Sequence, residues 1–273
     1  MSVINTNIMS INAQRNLAGT QGGLQTAMER LSSGLRINSA KDDAAGLAIG
    51  KIMESQVNVI NQGIRNANDG ISMIQTAEGA LEEVHVMLQR MEQLAMQAAN
   101  DTLGEDERDL IKLEIDELVD EISAIADRTT FGGGDSLLNG DMTDGIIIQV
   151  GQGTGDQIEL DFSTNVSDLP GLDAMAVDNN ANAVAAMGTI REAINQVSEI
   201  RAEFGAAQNR LEHNVANLRV TAENLEAAKS QIMDADFAQE TANLTRAQVL
   251  QQAGTAMLAQ ANVAPQNVLS LLQ

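Results

Sequence analysis

Two histidines, 38 carboxylates and no cysteine bound the chemistry open to this chain of 273 residues. A catalytic or metal-bound histidine pair needs a further ligand or base close by. His85 and His213 are far apart in sequence, each within helical spacing, and no His-Glu-x-x-His occurs. Both read as solvated helix positions. Without thiolates there is no disulfide framework and no cysteine metal site. Gly151-Gln152-Gly153-Thr154-Gly155 has the glycine density of a phosphate loop, but no Lys-Ser/Thr pair and no helix pattern follow it. It therefore reads as a turn. Asn139-Gly140-Asp141-Met142-Thr143-Asp144-Gly145 offers oxygen ligands but lacks EF-hand spacing and a closing Glu. No catalytic, cofactor-binding or metal residue is assigned, no cofactor is expected, and the chain does not read as an enzyme.

The elements around these residues say more. The chain has no Trp or Tyr, four Phe (Phe131, Phe162, Phe204, Phe237) and 13 Met. Any core must be aliphatic and thioether, the kind that interdigitates between helices. From Val57 to Ala98 apolar residues recur in steps of three and four: Val57, Ile60, Ile64, Ala67, Ile71, Ile74, Leu81, Val84, Leu88, Met91, Ala95 and Ala98. Only Glu78 interrupts this heptad seam, which predicts a long bundle helix. Asn100–Gly104 breaks it, with Asp101 or Thr102 as the expected cap of a second helix carrying Ile111, Ile115, Leu118, Ile122 and Ile125. Ile146–Val150 and Gln157–Phe162, joined by Gly151–Asp156, predict a β-hairpin. Pro170-Gly171 closes that section, and from about Ala181 a second long seam runs through Ile190, Val197, Phe204, Leu211 and Leu218 to Leu225. The expected fold is mainly α: a coiled-coil rod built from both chain ends, with a small β-hairpin region between them.

Charge is partitioned along the same lines. Residues 1–56 hold five basic and four acidic side chains, and residues 227–273 hold two and three. The middle, 57–226, holds nine basic and 31 acidic, so it carries the whole net charge of −22. Nucleic acid and anionic membranes need a basic face and are excluded as partners. No run approaches the roughly 18 apolar residues of a membrane span. The start, Met1-Ser2-Val3-Ile4-Asn5-Thr6-Asn7, lacks the pattern of a Sec signal peptide.

The two near-neutral ends carry amphipathic spacing without enough material to bury it. Leu17, Leu24, Met28, Leu31 and Leu35 mark the first, and Leu244, Leu250, Leu258, Val268, Leu269, Leu271 and Leu272 the second. Ordering one residue costs about 1–2 kcal/mol. A lone two-helix hairpin leaves too much apolar surface wet to offset that. Copies packed around a common axis cover it, and head-to-tail contacts that do not close grow into helical filaments. These residues are the predicted polymerisation interface, ordered on assembly.

Leu31-Ser32-Ser33-Gly34-Leu35-Arg36-Ile37-Asn38-Ser39-Ala40-Lys41-Asp42-Asp43-Ala44-Ala45-Gly46-Leu47-Ala48-Ile49 and Ile4-Asn5-Thr6-Asn7 resemble the N-terminal signature of bacterial flagellins. Gln260-Ala261-Asn262 and Pro265-Gln266-Asn267-Val268-Leu269-Ser270-Leu271-Leu272 resemble the family's C-terminus. The resemblance covers about 1–130 and 181–273. It implies an inner terminal coiled-coil domain (1–44 with 235–273) and a helical rod domain (45–234) with its hairpin at about 131–180. Outer variable domains are expected to be absent, since only about 50 residues separate the helical halves. It also implies a secreted, extracellular subunit of the flagellar filament, exported unfolded by the flagellar type III apparatus. Implied partners are other copies of itself, an export chaperone at the C-terminal helix, and the filament cap and hook-junction proteins. The segment Leu88–Asn100 is similar to the one read by the innate immune receptor TLR5. Gln89, Arg90, Leu94, Gln97 and, on the next helix, Glu114 match the residue types there, while Glu92 and Gln93 depart from the usual Arg-Glu pair. The alternatives are the hook–filament junction protein, which has similar termini, and a minor flagellin. The intact Leu31–Ile49 signature and the Asn267–Leu272 ending favour a filament flagellin.

Overall fold

The computed structural model describes residues 6–142, 145–163, 165–166, 169, 171–172 and 175–269, the last six of these as backbone alone. It is mainly helical, with one two-stranded antiparallel sheet among the described residues. It divides into two compact units, Met1–Val57 with Glu223–Gln273, and Asn58–Ala222.

In the second unit, helices α2 (Ala44–Ala98) and α4 (Asn180–Met233) contribute the long seams. From Ile74 the seam of α2 runs through Ala77, Leu81, Val84, Leu88, Met91, Ala95 and Ala98, an unbroken alternation of three and four, with Leu94 buried beside it. Glu78 is thus no interruption. Ala77 takes the seam position, and its small side chain hid it in a pattern read by bulky residues. Glu78 sits at the edge, where its Oε1 accepts from Arg201 Nε at 2.8 Å, and Glu82 Oε2 lies 2.6 Å from Arg201 Nη2. Glu92 Oε1 accepts from Arg191 Nε at 2.7 Å. These pairings run in opposite order along the two helices and fix an antiparallel register.

Helix α3 (Glu105–Arg128) buries Ile111, Ile115, Val119, Ile122 and Ala126. Its N-cap is Gly104, not Asp101 or Thr102. The Gly104 N–H donates to Glu107 Oε2 at 2.9 Å, so the third helical residue supplies the capping carboxylate. Arg108 closes the corner by donating from Nε to the Ala98 carbonyl (2.9 Å) and from Nη2 to that of Asn100 (3.2 Å). This satisfies acceptors that the end of α2 leaves open.

The hairpin forms where expected, with β1 (Ile146–Gln149) antiparallel to β2 (Gln157–Leu160) and Ile148 opposite Ile158. Asn66 on α2 donates to the Gln149 carbonyl at 2.8 Å. A Cβ on Gly63 would stand 2.2 Å from the Val150 carbonyl oxygen, so α2 needs a glycine where the hairpin end meets it. Phe162 and Phe204 pack with ring centroids 5.0 Å apart. Of the expected Pro170-Gly171 stop, Pro170 lies outside the described residues.

In the first unit, α1 (Ile8–Ser33) lies antiparallel to α5 (Phe237–Leu269). Asn7 meets Ala261, Ser10 meets Asn262, Leu17 meets Gly254 and Arg30 meets Glu240, which sets that register.

Candidate assembly surfaces

The residues of the Leu31–Ile49 stretch have distinct local roles. Gly34 ends α1 in the left-handed region (φ 72°), where its N–H donates to the Arg30 carbonyl. The chain then pairs with the segment between α4 and α5. Leu35 bridges Asp234, Arg36 N–H donates to the Met233 carbonyl at 2.6 Å, and Ala235 N–H to the Gly34 carbonyl at 2.9 Å. Asp42 closes the next turn, accepting from Asn38 N (3.2 Å), Ser39 N (3.0 Å) and Ser39 Oγ (3.0 Å). The Ser39 hydroxyl, then its N–H, hold the Asp42 carboxyl below its ordinary pKa. Asp43 starts α2, accepting from Ala45 N and Gly46 N. The Met233 side chain packs at Gly50, where a Cβ would stand 2.1 Å from Sδ.

The two terminal signatures bind one another. Asn7 caps α1 by accepting from Ser10 N at 3.1 Å, and its Nδ2 donates to the Ala261 carbonyl at 2.7 Å. Ser10 Oγ donates to Asn262 Oδ1 at 2.8 Å. Near the other end of the pair, Arg30 Nη1 lies 3.1 Å from Glu240 Oε1, and the Glu240 side chain is only 10% exposed. Arg30 Nε is buried there without a partner. Of these five polar residues, Asn7 and Asn262 belong to the terminal signatures, while Ser10, Arg30 and Glu240 did not stand out in the sequence. Asn7 followed three residues later by Ser10 was the one local signal, an N-cap pattern.

The proposed interface residues divide in two. Leu17, Leu24, Leu31, Leu35, Leu244 and Leu258 are half-buried, whereas Met28 and Leu250 stay exposed. Val268 and Leu269 lie in the last turn of α5, with side chains outside the described set; Leu271 and Leu272 lie outside the described residues. Among the described residues of α1 and α5, the buried ones are Ser10, Ala27, Glu240, Ala247 and Ala261, all small or polar. The large apolar side chains Ile8, Met9, Ile11, Val249 and Met257, missed in the sequence, are each more than half exposed.

On the α2–α3 face, Gln89, Arg90, Gln97 and Glu114 are exposed and Leu94 is buried. Arg90 donates to Glu114 Oε1 from both Nε (3.0 Å) and Nη2 (2.6 Å), joining the two helices. Gln89 Nε2 lies 2.9 Å from His85 Nε2. His213 is exposed, while His85 is half-buried with Nδ1 shut from solvent. Gly151–Asp156 is the hairpin turn: Val150 N–H donates to the Asp156 carbonyl and Gly153 N–H to the Asp156 carboxylate. In the Asn139 loop, Asn139 and Asp141 bond each other, and Thr143 and Asp144 lie outside the described residues.

Residues 4–143 match the bacterial flagellin N-terminal helical region and 187–272 the bacterial flagellin C-terminal helical region. A flagellin of Halalkalibacterium halodurans is 47% identical over 273 residues, covering 99% of this chain and 100% of that one. The crystal structure of Bacillus cereus flagellin superposes with a TM-score of 0.52 at 33% identity, over 60% of this chain and 94% of that one. A flagellar hook-associated protein of Vibrio parahaemolyticus gives 0.60 at 15% identity, over 71% and 100%, a likeness of fold alone.

Proposed function

The chain belongs to the bacterial flagellin family, and we infer that it is a structural subunit that polymerises through its terminal helices into a flagellar filament. One observation carries the role of the ends. Helices α1 and α5 together bury no large apolar side chain among their described residues, yet hold Ile8, Met9, Ile11, Val249, Leu250 and Met257 open to solvent. An isolated pair of this kind cannot offset the ordering of its own backbone. Covered by neighbouring copies, the same face supplies the missing burial, and a contact of this open type propagates. On this reading the inner domain is residues 1–44 with 235–273, inside the compact unit Met1–Val57 with Glu223–Gln273, and the interface includes Leu17, Leu24, Met28, Leu31, Leu35, Leu244, Leu250, Leu258 and the Val268–Leu272 end.

The role is structural, and the site of action is the extracellular filament. Family membership supports secretion through the flagellar type III apparatus, a chaperone at the C-terminal helix, and the cap and hook-junction proteins as neighbours. The residue types at Gln89, Arg90, Gln97 and Glu114 support reading by TLR5, while Glu92 and Gln93 depart from the usual Arg-Glu pair. With Leu94 buried, that contact rests on polar groups, and the Arg90–Glu114 pair must open or be read as a unit. Nothing favours the hook-junction alternative, since the likeness to a hook-associated protein is one of fold. Deleting residues 235–273 is expected to abolish polymerisation while the remaining chain stays soluble and helical by circular dichroism. Filaments grown by that truncation would contradict terminal packing.

A further inference from the structure

Methionine carries the sulfur of this chain, which has no cysteine, and it lacks Trp and Tyr as other oxidisable side chains. The described methionines span a range of exposure. Met91, Met175 and Met233 are buried, at 0%, 9% and 4% exposure, five others are half-buried, and Met28 and Met96 are 49% and 58% exposed. Met9 and Met257 are 66% and 65% exposed. These two are not scattered. Met9 on α1 and Met257 on α5 line one groove of about 490 Å³ between the helices, with Ala13, Leu17 and Leu250 among its apolar lining and Asn12, Asn16 and Thr20 among its polar lining. The walls hold no charged side chain.

We propose that Met9 and Met257 form a reversible oxidation site that gates assembly: as thioethers they permit the groove to be covered by a second copy, and as sulfoxides they block it. This rests on the filament reading above. The oxidant is a hydroperoxide. Its O–O bond breaks, one oxygen forms an S–O bond with the thioether, and the other leaves as water or an alcohol after taking the proton. Sulfur loses two electrons and the peroxide gains them. The product turns a flexible apolar side chain into a polar one with a strong acceptor. Set against Ala13, Leu17 and Leu250, that oxygen must shed its bound water when a neighbouring copy covers the groove, and the desolvation of a strong acceptor opposes the contact. Buried methionines escape because the peroxide cannot reach them. Once the groove is covered in a filament, Met9 and Met257 gain the same protection, so oxidation acts on subunits before they are incorporated.

The test starts from purified full-length chain treated with a limiting amount of hydrogen peroxide, then grown on filament seeds, with sulfoxide mapped by peptide mass in the filament and in the chains left behind. Sulfoxide at Met9 and Met257 is expected to be enriched in the unassembled fraction, with a rise of about tenfold in the concentration needed for growth. Methionine sulfoxide reductases of both stereospecificities should restore growth. Compared with the same variant untreated, Met9→Leu with Met257→Leu should lose the response to peroxide, whereas Met28→Leu and Met96→Leu, which remove exposed methionines outside the groove, should keep it. Equal sulfoxide in both fractions, continued sensitivity of the double variant, or failure of the reductases would overturn the proposal. If the double variant does not grow, the partition of sulfoxide in the wild-type chain decides alone. An untreated wild-type chain that never extends seeds would instead remove the filament reading itself.

Discussion

At the residue scale, small side chains decide more than the bulky ones that are easy to read. Gly63→Ala would drive a Cβ to 2.2 Å from the Val150 carbonyl, which the backbone of the hairpin must yield to. Loss of about 1–3 kcal/mol is expected, read as a lower melting temperature. Gly79→Ala, on the same helix with nothing near its Cβ, is expected to stabilise by about 0.5–1 kcal/mol through helix propensity. Equal melting temperatures for the two variants would contradict the close approach. Asp42 gives a second test. Its pKa is held low in the fold by the Ser39 hydroxyl and N–H. Asp178 is also held low, chiefly by the Asn182 side chain, and Asp161 by that of Ser163. A lowered carboxyl contributes stability that is present above its ordinary pKa and lost as pH falls through the lowered value. Acid below the ordinary carboxylate range should therefore loosen these turns and caps. Asp42→Asn with Asp178→Asn should flatten the fall in melting temperature between pH 7 and pH 3, and an unchanged slope would remove these groups from the account.

At the element scale, two antiparallel pairs are specified differently. The α2–α4 pair has an aliphatic seam and an edge of ion pairs, and the seam was legible in the sequence because Leu, Ile and Val mark its period. Its misreadings arose where the buried residue is too small to register: Ala77 beside Glu78, and Gly63 and Gly70 beside the half-buried Ile64 and Ile71. The hairpin was legible because glycines bound two β-branched runs. The cap of α3 was not, since a glycine takes the cap position and Glu107 supplies the carboxylate from inside the helix. The α1–α5 pair has no large buried seam, so its register rests on polar contacts that no periodicity reveals. Arg30→Met would strand the Glu240 carboxylate at 10% exposure, costing about 3–5 kcal/mol. Glu240→Gln with Arg30→Gln should cost less than either ion removed alone, because no buried charge is left unpaired. Circular dichroism of the three variants, and their growth on seeds, reads this directly. Additive losses in the double variant would show that Arg30 and Glu240 act independently.

At the scale of the whole molecule, charge and exposure divide the labour. The acidic excess sits in residues 57–226, and the near-neutral ends keep large apolar side chains in water. The partition of charge between the middle and the ends was therefore readable from residue counts before any contact was known. What could not be read was which leucines turn inward. Leu17, Leu24, Leu31 and Leu244 are half-covered within the α1–α5 pair, while Ile8, Met9, Ile11, Val249 and Met257 remain exposed. An amphipathic stripe does not tell an intramolecular partner from an intermolecular one, since both use the same spacing. The measurement that tests the central claim most directly is electron microscopy of the purified full-length chain at neutral pH with sulfate or filament seeds. Long uniform filaments that dissolve in acid and regrow on neutralisation are expected. Particles that stay monomeric in the presence of seeds would contradict a subunit that polymerises through its own ends.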